Sequence, residues 1–304
     1  MKCILACATP VKEGRIDEYS LRKIVRYAVD NGVDGIFAPS YTGSFHLMTP
    51  NQRKDVIGTV ADELRLLKKK DPTIKTKFYA GVTGESEKET LENLYFANEA
   101  GTDFVIVAPL YYKRNRELRK HLEKLGNESE TGLFLYNNPR LSRKPTLHKN
   151  IMYGSQGMEK ISRNPKIFGM KNSGKYTEKY IEAFLKNRKR REFEIFEGKE
   201  ERWLNGSFTI TDGMVSGTAN VLPSVMKGLT GPELKPSYRE AYIFFTKTHS
   251  GSLYSEKTIS VLETCLQELG LCDYLLKEEP SLTDLEKERY IRKINTLLRE
   301  GLIG

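Results

Sequence analysis

The sequence contains few residues of the kinds that build metal sites and disulfide frameworks, and it has no long apolar run. Among its 304 residues are four cysteines, with neither CxxC spacing nor a dense framework, and four scattered histidines without an HExxH pattern. No uninterrupted apolar run approaches the roughly 18 residues of a membrane span, and no GxGxxG motif follows a strand. These absences predict a reducing, cytoplasmic setting, with no membrane segment, no bound metal and no nucleotide loop.

The charge and the first residues narrow the class of protein further. The formal charge is +9, and the basic residues concentrate at 68–70 and 186–191, each after an apolar-periodic segment. Because cations are stabilised at the negative end of a helix dipole, we expect these clusters to be solvated helix ends. No basic motif interleaved with aromatic residues accompanies them, so we expect no nucleic-acid partner. The apolar start of the chain stops at Thr9-Pro10, which is too short for a secretion signal and predicts a first buried strand.

Short apolar runs alternate with helical patterns along most of the chain. The runs cover residues 3–8, 35–38, 77–82, 103–108, 132–136, 167–171, 193–196 and 213–216. The clearest helix between them begins after Asp17 and ends at Asn31-Gly32, and the next begins with a capping box formed by Ser86 and Glu89. Eight strands alternating with helices predict an α/β fold, a (β/α)8 TIM barrel over residues 1–227.

The segment after residue 227 has a different pattern. A breaker-rich connection over 228–236 precedes three helical segments at 238–248, 255–269 and 283–300, the last one capped by Thr283 and Glu286. This pattern predicts a C-terminal helical bundle over residues 228–304 that packs on the barrel.

Lys171 closes the apolar run Ile167-Phe-Gly-Met-Lys171, where a buried strand should stop. Burial disfavours the ammonium form, so a lysine at this place can be partly neutral near pH 7 and can attack a ketone. The alternative is a strand-end lysine in water. In a parallel barrel the chemistry lies at the carboxyl ends of the strands, where Ser40–Ser44, Tyr111 and Tyr136 would join Lys171 at one mouth. For the tyrosines the alternative is a purely structural place at the barrel rim.

Nine short motifs in chain order give the sequence a resemblance to a known family. They are Thr9-Pro10-Val, Gly14-Arg-Ile-Asp17, Asn31-Gly-Val-Asp-Gly-Ile36, Thr42-Gly43, Ala80-Gly-Val82, Pro109-Leu-Tyr-Tyr112, Leu135-Tyr-Asn-Asn-Pro139, Gly169-Met-Lys-Asn-Ser173 and Gly217-Thr-Ala-Asn220-Val-Leu-Pro223. The chain resembles the dihydrodipicolinate synthase and N-acetylneuraminate lyase family of Schiff-base aldolases. The resemblance covers nearly the whole chain.

This resemblance implies a role for each matching residue. Lys171 would form an imine with pyruvate or a longer 2-oxo acid, and Tyr136 would be the proton shuttle. Tyr111 matches the tyrosine that a neighbouring subunit donates to the proton relay. Thr42 and Gly43 match the turn that binds the substrate carboxylate. The family is typically a homotetramer built from dimers, and it needs neither a metal nor another cofactor because the imine is the electron sink.

Three positions depart from the family pattern. Tyr41 stands where the relay has a serine or threonine, and Ser44 replaces the usual glutamate of the turn. Dihydrodipicolinate synthases usually bind the carboxylate of their second substrate with an arginine at the position of Leu141. Arg140 and Arg143 flank that position, but a neighbouring residue on a tight loop generally points elsewhere.

The remaining candidate residues favour a hydroxylated substrate. Glu200 and Glu201 match a turn that holds the polyol tail of the sugar acid in N-acetylneuraminate lyases, although acidic pairs are also common on exposed loops. Ser173 and Ser216, at the ends of two strands, are further candidate contacts. We therefore expect cleavage of a sugar-derived 2-oxo acid to pyruvate and an aldehyde. Condensation of pyruvate with aspartate semialdehyde is the close alternative, and an inactive ligand-binding homologue is a third.

Overall fold

Eight parallel strands close into a barrel in the computed structural model of the protein. The structure describes residues 1–108, 115–138, 141, 164–174, 193–205, 211–231, 235–247 and 257–304. The barrel strands are β1 (Lys2–Ala6), β4 (Gly35–Ala38), β5 (Lys77–Gly81), β6 (Phe104–Val107), β7 (Gly132–Asn137), β8 (Ile167–Asn172), β9 (Glu194–Glu197) and β10 (Gly213–Ser216). A short antiparallel pair, β2 (Val11–Lys12) and β3 (Arg15–Ile16), follows β1. The predicted (β/α)8 TIM barrel is confirmed, with strand ends within two residues of the predicted ones.

The helices that the sequence predicts residue by residue, one after Asp17, one after Ser86 and three in the C-terminal segment, lie close to their predicted places. In the described ranges they are α1 (Glu18–Asp30), α2 (Pro50–Lys70), α3 (Glu87–Glu99), α4 (Asn115–Glu128), α5 (Glu200–Leu204), α6 (Pro223–Leu229), α7 (Pro236–Thr246), α8 (Thr258–Glu268) and α9 (Asp284–Arg299). The cap of α1 at Asp17 and the capping box of α9 at Thr283 and Glu286 are confirmed. The basic run 68–70 forms the last turn of α2, as the dipole argument predicts, while 186–191 lies outside the described residues.

One predicted cap differs from the structure. Ser86 caps α3 by accepting a hydrogen bond from the backbone N–H of Glu89, but the Glu89 side chain accepts from the N–H of Glu85 and not from that of Ser86. The capping box that the sequence predicts is therefore only half formed. A complete box forms at α2, where Thr49 and Gln52 bond to each other's backbone N–H groups.

The chain forms two compact units, the first of residues 1–78 with 216–304 and the second of residues 79–215. In the first unit, β1 pairs in parallel with β4. Strand β1 ends at Ala6, two residues before the predicted end, and just beyond it the N–H of Ala8 donates to the side-chain oxygen of Asn220 at 2.9 Å. Asn220 also donates to the carbonyl of Ala6 at 2.8 Å. This side chain satisfies the backbone groups that a longer strand would have paired.

The second unit has an aromatic layer among its strands. Phe134 of β7 stacks on Phe196 of β9, with ring centroids 5.5 Å apart, and meets Tyr79 edge-on at 5.3 Å. Phe104 stacks on Tyr79 at 4.9 Å. Each such ring buries roughly 150–250 Å² and adds about 0.5–1.5 kcal/mol per pair beyond the area that it buries. Tyr136 lies two residues after Phe134 and so projects from the same face of β7.

The C-terminal helices α7, α8 and α9 form the predicted helical extension. They belong to the same compact unit as residues 1–78, and the predicted boundary between residues 227 and 228 lies inside α6. The division into a barrel over 1–227 and a separate bundle over 228–304 stays a prediction. Within the described residues, no helix combines the length and the apolar character that crossing a membrane requires.

Candidate active site

Lys171 lies near the carboxyl end of β8 and is 4% exposed. Its neighbour across the ladder is Tyr136, because the pairing of β7 with β8 skips one residue. Leu133 pairs with Ile167 but Phe134 pairs with Gly169, so Phe168 is the extra residue of a β-bulge. In a regular ladder Tyr136 would face Met170. The bulge shifts the register by one residue and brings the lysine beside the tyrosine.

Two glycines, Gly169 and Gly198, allow close packing around the strands that carry Tyr136 and Lys171. A Cβ at Gly169 would overlap the ring of Phe134, with its Cδ1 at 2.9 Å. A Cβ at Gly198 would lie 2.8 Å from the carbonyl oxygen of Asn172 and 3.1 Å from Cε of Lys171. Since real Cβ atoms do not approach backbone atoms so closely, only glycine fits at Gly198 without moving the strand that carries the lysine.

Burial lowers the pKa of Lys171 from its ordinary 10.5 to about 7, because the ammonium form loses its hydration. Two carboxylates oppose this shift, Glu200 more strongly than Glu197. The lysine Nζ lies 4.3 Å from the ring centroid of Tyr136. Near pH 7 about half of such a lysine is the neutral amine, which is the form that can attack a carbonyl carbon.

The phenol of Tyr136 is buried beside an amide that the sequence reasoning did not single out. Tyr136 is 3% exposed, and its Oη accepts a hydrogen bond from Nδ2 of Asn138 at 3.1 Å. The preceding amide, Asn137, donates instead to Oδ1 of Asn172 at 2.8 Å. Two consecutive asparagines after a strand-end tyrosine were the available signal. Their separate partners are visible only in the folded chain.

A buried ion pair holds the turn that follows β9, and sequence reasoning missed it as well. Glu197, almost fully buried, accepts at Oε1 from the Arg202 guanidinium at 2.6 Å and from the N–H of Lys199 at 2.8 Å. Arg202 also donates to the carbonyl of Gly174. Burial raises the pKa of Glu197, and Arg202 opposes that rise. These bonds fix the start of α5, which carries the predicted residue Glu200.

The structure separates the two predicted acidic residues of this turn. Glu200 is 1% exposed and acts on the charge of Lys171, whereas Glu201 is exposed to solvent. Adjacent residues of a helix point about 100° apart, which explains the difference. Ser173 is half-buried directly after β8, and its Oγ lies against Gly198. Lys171, Tyr136, Glu200 and Ser173 therefore belong to one cluster within residues 79–215.

The turn from Ser40 to Ser44 lies in the other unit. Gly43 is buried, and its N–H donates to Oγ of Ser40 at 3.0 Å, which in turn donates to the carbonyl of Cys7 at 2.9 Å. Thr42 is half-buried. A Cβ at position 43 would lie 2.6 Å from the carbonyl oxygen of Cys7, so this turn requires glycine.

The two residues that depart from the family pattern in this turn have clear structural places. Tyr41 is 38% exposed and stacks on His46, with ring centroids 5.3 Å apart. Ser44 is buried and left-handed, with φ of 56°, and its N–H donates to the carbonyl of Tyr41 at 3.0 Å. A serine here closes the turn, although the left-handed region is unusual for any residue but glycine.

The remaining predicted residues are placed as follows. Ser216 ends β10, fully buried, and its Oγ accepts from the N–H of Ala219 at 2.9 Å. Leu141 donates from its N–H to the carbonyl of Asn138 at 3.1 Å. Tyr111, Arg140 and Arg143 lie outside the described residues. Within the described ranges no three His, Cys, Asp or Glu side chains gather as metal ligands would.

Known proteins resemble the chain over nearly its full length. The model of the dihydrodipicolinate synthetase family matches residues 1–298. The 4-hydroxy-tetrahydrodipicolinate synthase of a Thermus thermophilus strain is 28% identical over 293 residues, which cover 94% of this chain and 92% of the relative. The enzyme of the same name from Methanothermobacter thermautotrophicus is 25% identical over 266 residues, covering 86% and 87%.

Solved structures share the fold. A 4-hydroxy-tetrahydrodipicolinate synthase from Methylacidiphilum fumariolicum SolV superposes with a TM-score of 0.79 at 20% identity, covering 100% of this chain and 99% of that one. A prophage protein of the dihydrodipicolinic acid synthase family from E. coli K12, in complex with pyruvate, gives 0.77 at 17% identity, covering 99% and 98%. On the whole-chain family match, this protein belongs to the dihydrodipicolinate synthetase family and is a lyase.

Proposed function

We propose that the protein is a pyruvate-dependent aldolase that forms an imine between Lys171 and the ketone of a 2-oxo acid. The observation that carries this proposal is the placement of Lys171, buried at the end of β8 with its pKa lowered to about 7. The ring of Tyr136 lies 4.3 Å from its Nζ. A surface lysine would be almost fully protonated at neutral pH and a poor nucleophile.

Lys171 and Tyr136 divide the chemistry between them. The neutral amine of Lys171 adds to the ketone carbon, and the carbinolamine loses its hydroxyl as water with a proton from the Tyr136 phenol. The protonated imine then accepts the electron pair of the next carbon–carbon bond along the chain, which joins the carbon beside the imine to the carbon that bears the aldol hydroxyl. The Tyr136 phenolate takes the proton of the aldol hydroxyl, so that an aldehyde leaves and the enamine of pyruvate remains. Protonation and hydrolysis of that enamine release pyruvate and regenerate the amine.

The preferred substrate of the proposal is a sugar-derived 2-oxo acid. Glu200 supports it, because a buried carboxylate in the cluster around Lys171 can accept hydrogen bonds from the hydroxyl groups of a polyol. Ser173 is a second polar contact, with Glu201 and Ser216 as more peripheral candidates. Leu141 supports the same choice, since an apolar side chain cannot form the paired bonds that an arginine gives to a carboxylate.

The second candidate is condensation of pyruvate with aspartate semialdehyde. The observation in its favour is that the curated relatives named above are 4-hydroxy-tetrahydrodipicolinate synthases. Both candidates use the same imine at Lys171. They differ only in the group that adds to, or leaves from, the carbon next to it.

The carboxylate of either substrate needs its own binding group. In the proposal this is the turn with Thr42 and Gly43, where glycine permits close approach of an anion to the backbone. In the structure the N–H of Gly43 donates a hydrogen bond to the Ser40 hydroxyl. A carboxylate that binds this N–H therefore displaces the hydroxyl. Tyr41 and Tyr111 complete the proposed relay. No metal and no further cofactor takes part.

Assembly and location are separate parts of the proposal. A homotetramer would supply Tyr111 from a neighbouring subunit, and light scattering coupled to gel filtration measures the number of chains. A dihydrodipicolinate synthase variant among the solved structures is monomeric, so the assembly needs its own measurement. The cytoplasmic location is proposed from the few cysteines without paired spacing together with the lack of a long apolar run in the sequence. All four are buried free thiols.

Reductive trapping tests the imine. We expect borohydride and pyruvate to modify Lys171, with a pH midpoint near 7, and peptide mass spectrometry to locate the adduct. Lys171→Arg should abolish trapping, whereas Lys166→Arg should leave it intact, because Lys166 is an exposed lysine just before the same strand. An unmodified Lys171 contradicts the proposal and favours an inactive ligand-binding homologue.

Once the adduct is established, a substrate panel separates the two candidates. N-acetylneuraminate and 2-keto-3-deoxygluconate are assayed for release of pyruvate, and aspartate semialdehyde is assayed for its consumption together with pyruvate. Cleavage of a sugar acid supports the first candidate. If the protein consumes aspartate semialdehyde with pyruvate but cleaves neither sugar acid, the second candidate replaces the first.

A further inference from the structure

Asn138 makes a buried hydrogen bond to the phenol of Tyr136. Its Nδ2 lies 3.1 Å from the phenol oxygen, and the two residues are 7% and 3% exposed. An amide N–H can only donate, so the phenol oxygen is the acceptor in this pair. The phenol O–H is therefore not the donor of this bond. It also joins residues only two positions apart, so the partner is part of the same strand end.

The neighbouring amide shows that this contact is specific. Asn137 is fully buried, yet its Nδ2 donates to Oδ1 of Asn172 at 2.8 Å and not to the tyrosine. Consecutive residues of a strand project to opposite faces, which accounts for the different partners. The same residue type at two adjacent positions thus performs two separate tasks. One amide links β7 to β8, and the other contacts the phenol.

An N–H donor at a phenol oxygen has a predictable chemical effect. The bond is stronger to the negatively charged phenolate than to the neutral phenol, so it favours loss of the phenol proton. It also holds the phenol hydroxyl in one orientation. A proton donor that is misplaced in a buried site slows the reaction that it serves. Both effects act on the residue that gives and takes the proton in the proposed reaction.

We propose that Asn138 is a positioning residue that orients the Tyr136 phenol and eases its proton transfer. The catalytic role of Asn138 rests on the proposed function, whereas its hydrogen bond to Tyr136 and the effect of that bond on the phenol do not. In this proposal Asn138 acts through the tyrosine, to which it is hydrogen-bonded. Its loss is therefore expected to slow each proton transfer of Tyr136, including the one that completes the imine, while the imine at Lys171 still forms to the same final extent.

The test compares Asn138→Ala and Asn138→Asp with the matched control Asn137→Ala. The ionisation of Tyr136 is followed by tyrosinate absorbance, as the difference between each protein and its Tyr136→Phe counterpart. Without the amide donor, ionisation of Tyr136 should move to higher pH by about one unit, the effect of one ordinary hydrogen bond. Asn138→Asp keeps the side-chain shape and adds a negative charge, so the shift should be at least as large. Asn137→Ala should leave it unchanged.

Activity provides the second measurement. Asn138→Ala should lower kcat about tenfold with little change in KM, the size expected when one such bond is lost from the transition state. The extent of pyruvate trapping at Lys171 should equal that of the unmodified protein. Equal Tyr136 titration in the protein and both Asn138 variants, or an equal shift in Asn137→Ala, overturns the inference.

Failure of the inference and failure of the proposed function are distinguishable. The titration needs no substrate, so it tests the hydrogen bond even if Lys171 is not trapped. If Lys171 is trapped and the Asn138 variants titrate like the unmodified protein, the imine chemistry stands and the role of Asn138 does not.

Discussion

Replacing Lys171 with methionine tests whether burial keeps this lysine partly neutral. Methionine has a similar length and no charge, so it fills the same buried space and removes only the ionisable group. In the native state the pKa of Lys171 is about 7, against an ordinary value of 10.5. Between these two pH values the unfolded chain holds a proton that the native state has lost.

The sign and size of the effect follow from this difference. Stability rises with pH wherever the unfolded state binds more protons, so the native protein should gain stability relative to Lys171→Met between pH 7 and 10.5. At about 1.36 kcal/mol per unit, a shift of 3.5 units makes the buried lysine cost about 5 kcal/mol below pH 7. The cost falls to about 2 kcal/mol at pH 9 and vanishes above pH 10.5.

Urea unfolding measured from pH 6.5 to 10 gives the stability difference directly. Trp203 is the one tryptophan of the sequence and is fully buried in α5, so its fluorescence reports unfolding of the unit that carries Lys171. We expect Lys171→Met to be inactive but more stable at pH 6.5, with the advantage shrinking steadily toward pH 10. Comparing the two proteins at each pH cancels the titration of the other groups.

Lys166→Met is the matched control, because Lys166 is exposed and its replacement should change stability by less than about 0.5 kcal/mol at every pH. A stability difference between the native protein and Lys171→Met that stays constant over this range would refute the reasoning. It would mean that Lys171 titrates like an ordinary lysine and that burial does not make it the neutral nucleophile of the proposed reaction.

Two further substitutions test the carboxylates around Lys171. Arg202→Met leaves Glu197 as a buried carboxylate without its guanidinium, so unfolding should become easier by about 3 kcal/mol, and the loss should shrink as acid protonates Glu197. Glu197→Gln in the same chain should recover part of that stability in urea, and no recovery would place the loss elsewhere. Glu200→Gln removes the larger charge that raises the pKa of Lys171, so the acid limb of kcat/KM should move to lower pH by about one unit. An unmoved limb would show that Glu200 does not act on the lysine.

The sequence predicts those features that depend on local pattern. Strand runs, the cap at Asp17 and the capping box at Thr283 follow from residues close together in the chain, and the structure has all of them. The burial of Lys171 near a strand end was predicted in the same way, from its place at the end of an apolar run, and its catalytic role stays a prediction.

Features that depend on pairing between distant segments were not predictable. The bulge at Phe168 exists only in the ladder between β7 and β8, yet it decides that Lys171 faces Tyr136. The contrast between Glu200 and Glu201 depends on where the short helix α5 begins and what packs against it. Composition and periodicity contain no information on either. The prediction of a complete capping box at Ser86 was wrong for a local reason, since the Glu89 side chain accepts from the N–H of Glu85, four residues away, instead of from that of Ser86.

In the proposed reaction, the balance of charge around Lys171 favours the covalent intermediate over the free amine. A carboxylate gains little from a neutral amine but is attracted to a protonated imine, which stays cationic after the lysine has reacted. Glu200 and Glu197 therefore stabilise the state that follows attack more than the state that precedes it, and only such differential stabilisation speeds a reaction. Burial acts in the opposite sense and supplies the neutral amine. The proposed reaction thus needs both a lysine shielded from water and carboxylates close to it, and Glu200 and the ion pair of Glu197 with Arg202 lie beside this strand end.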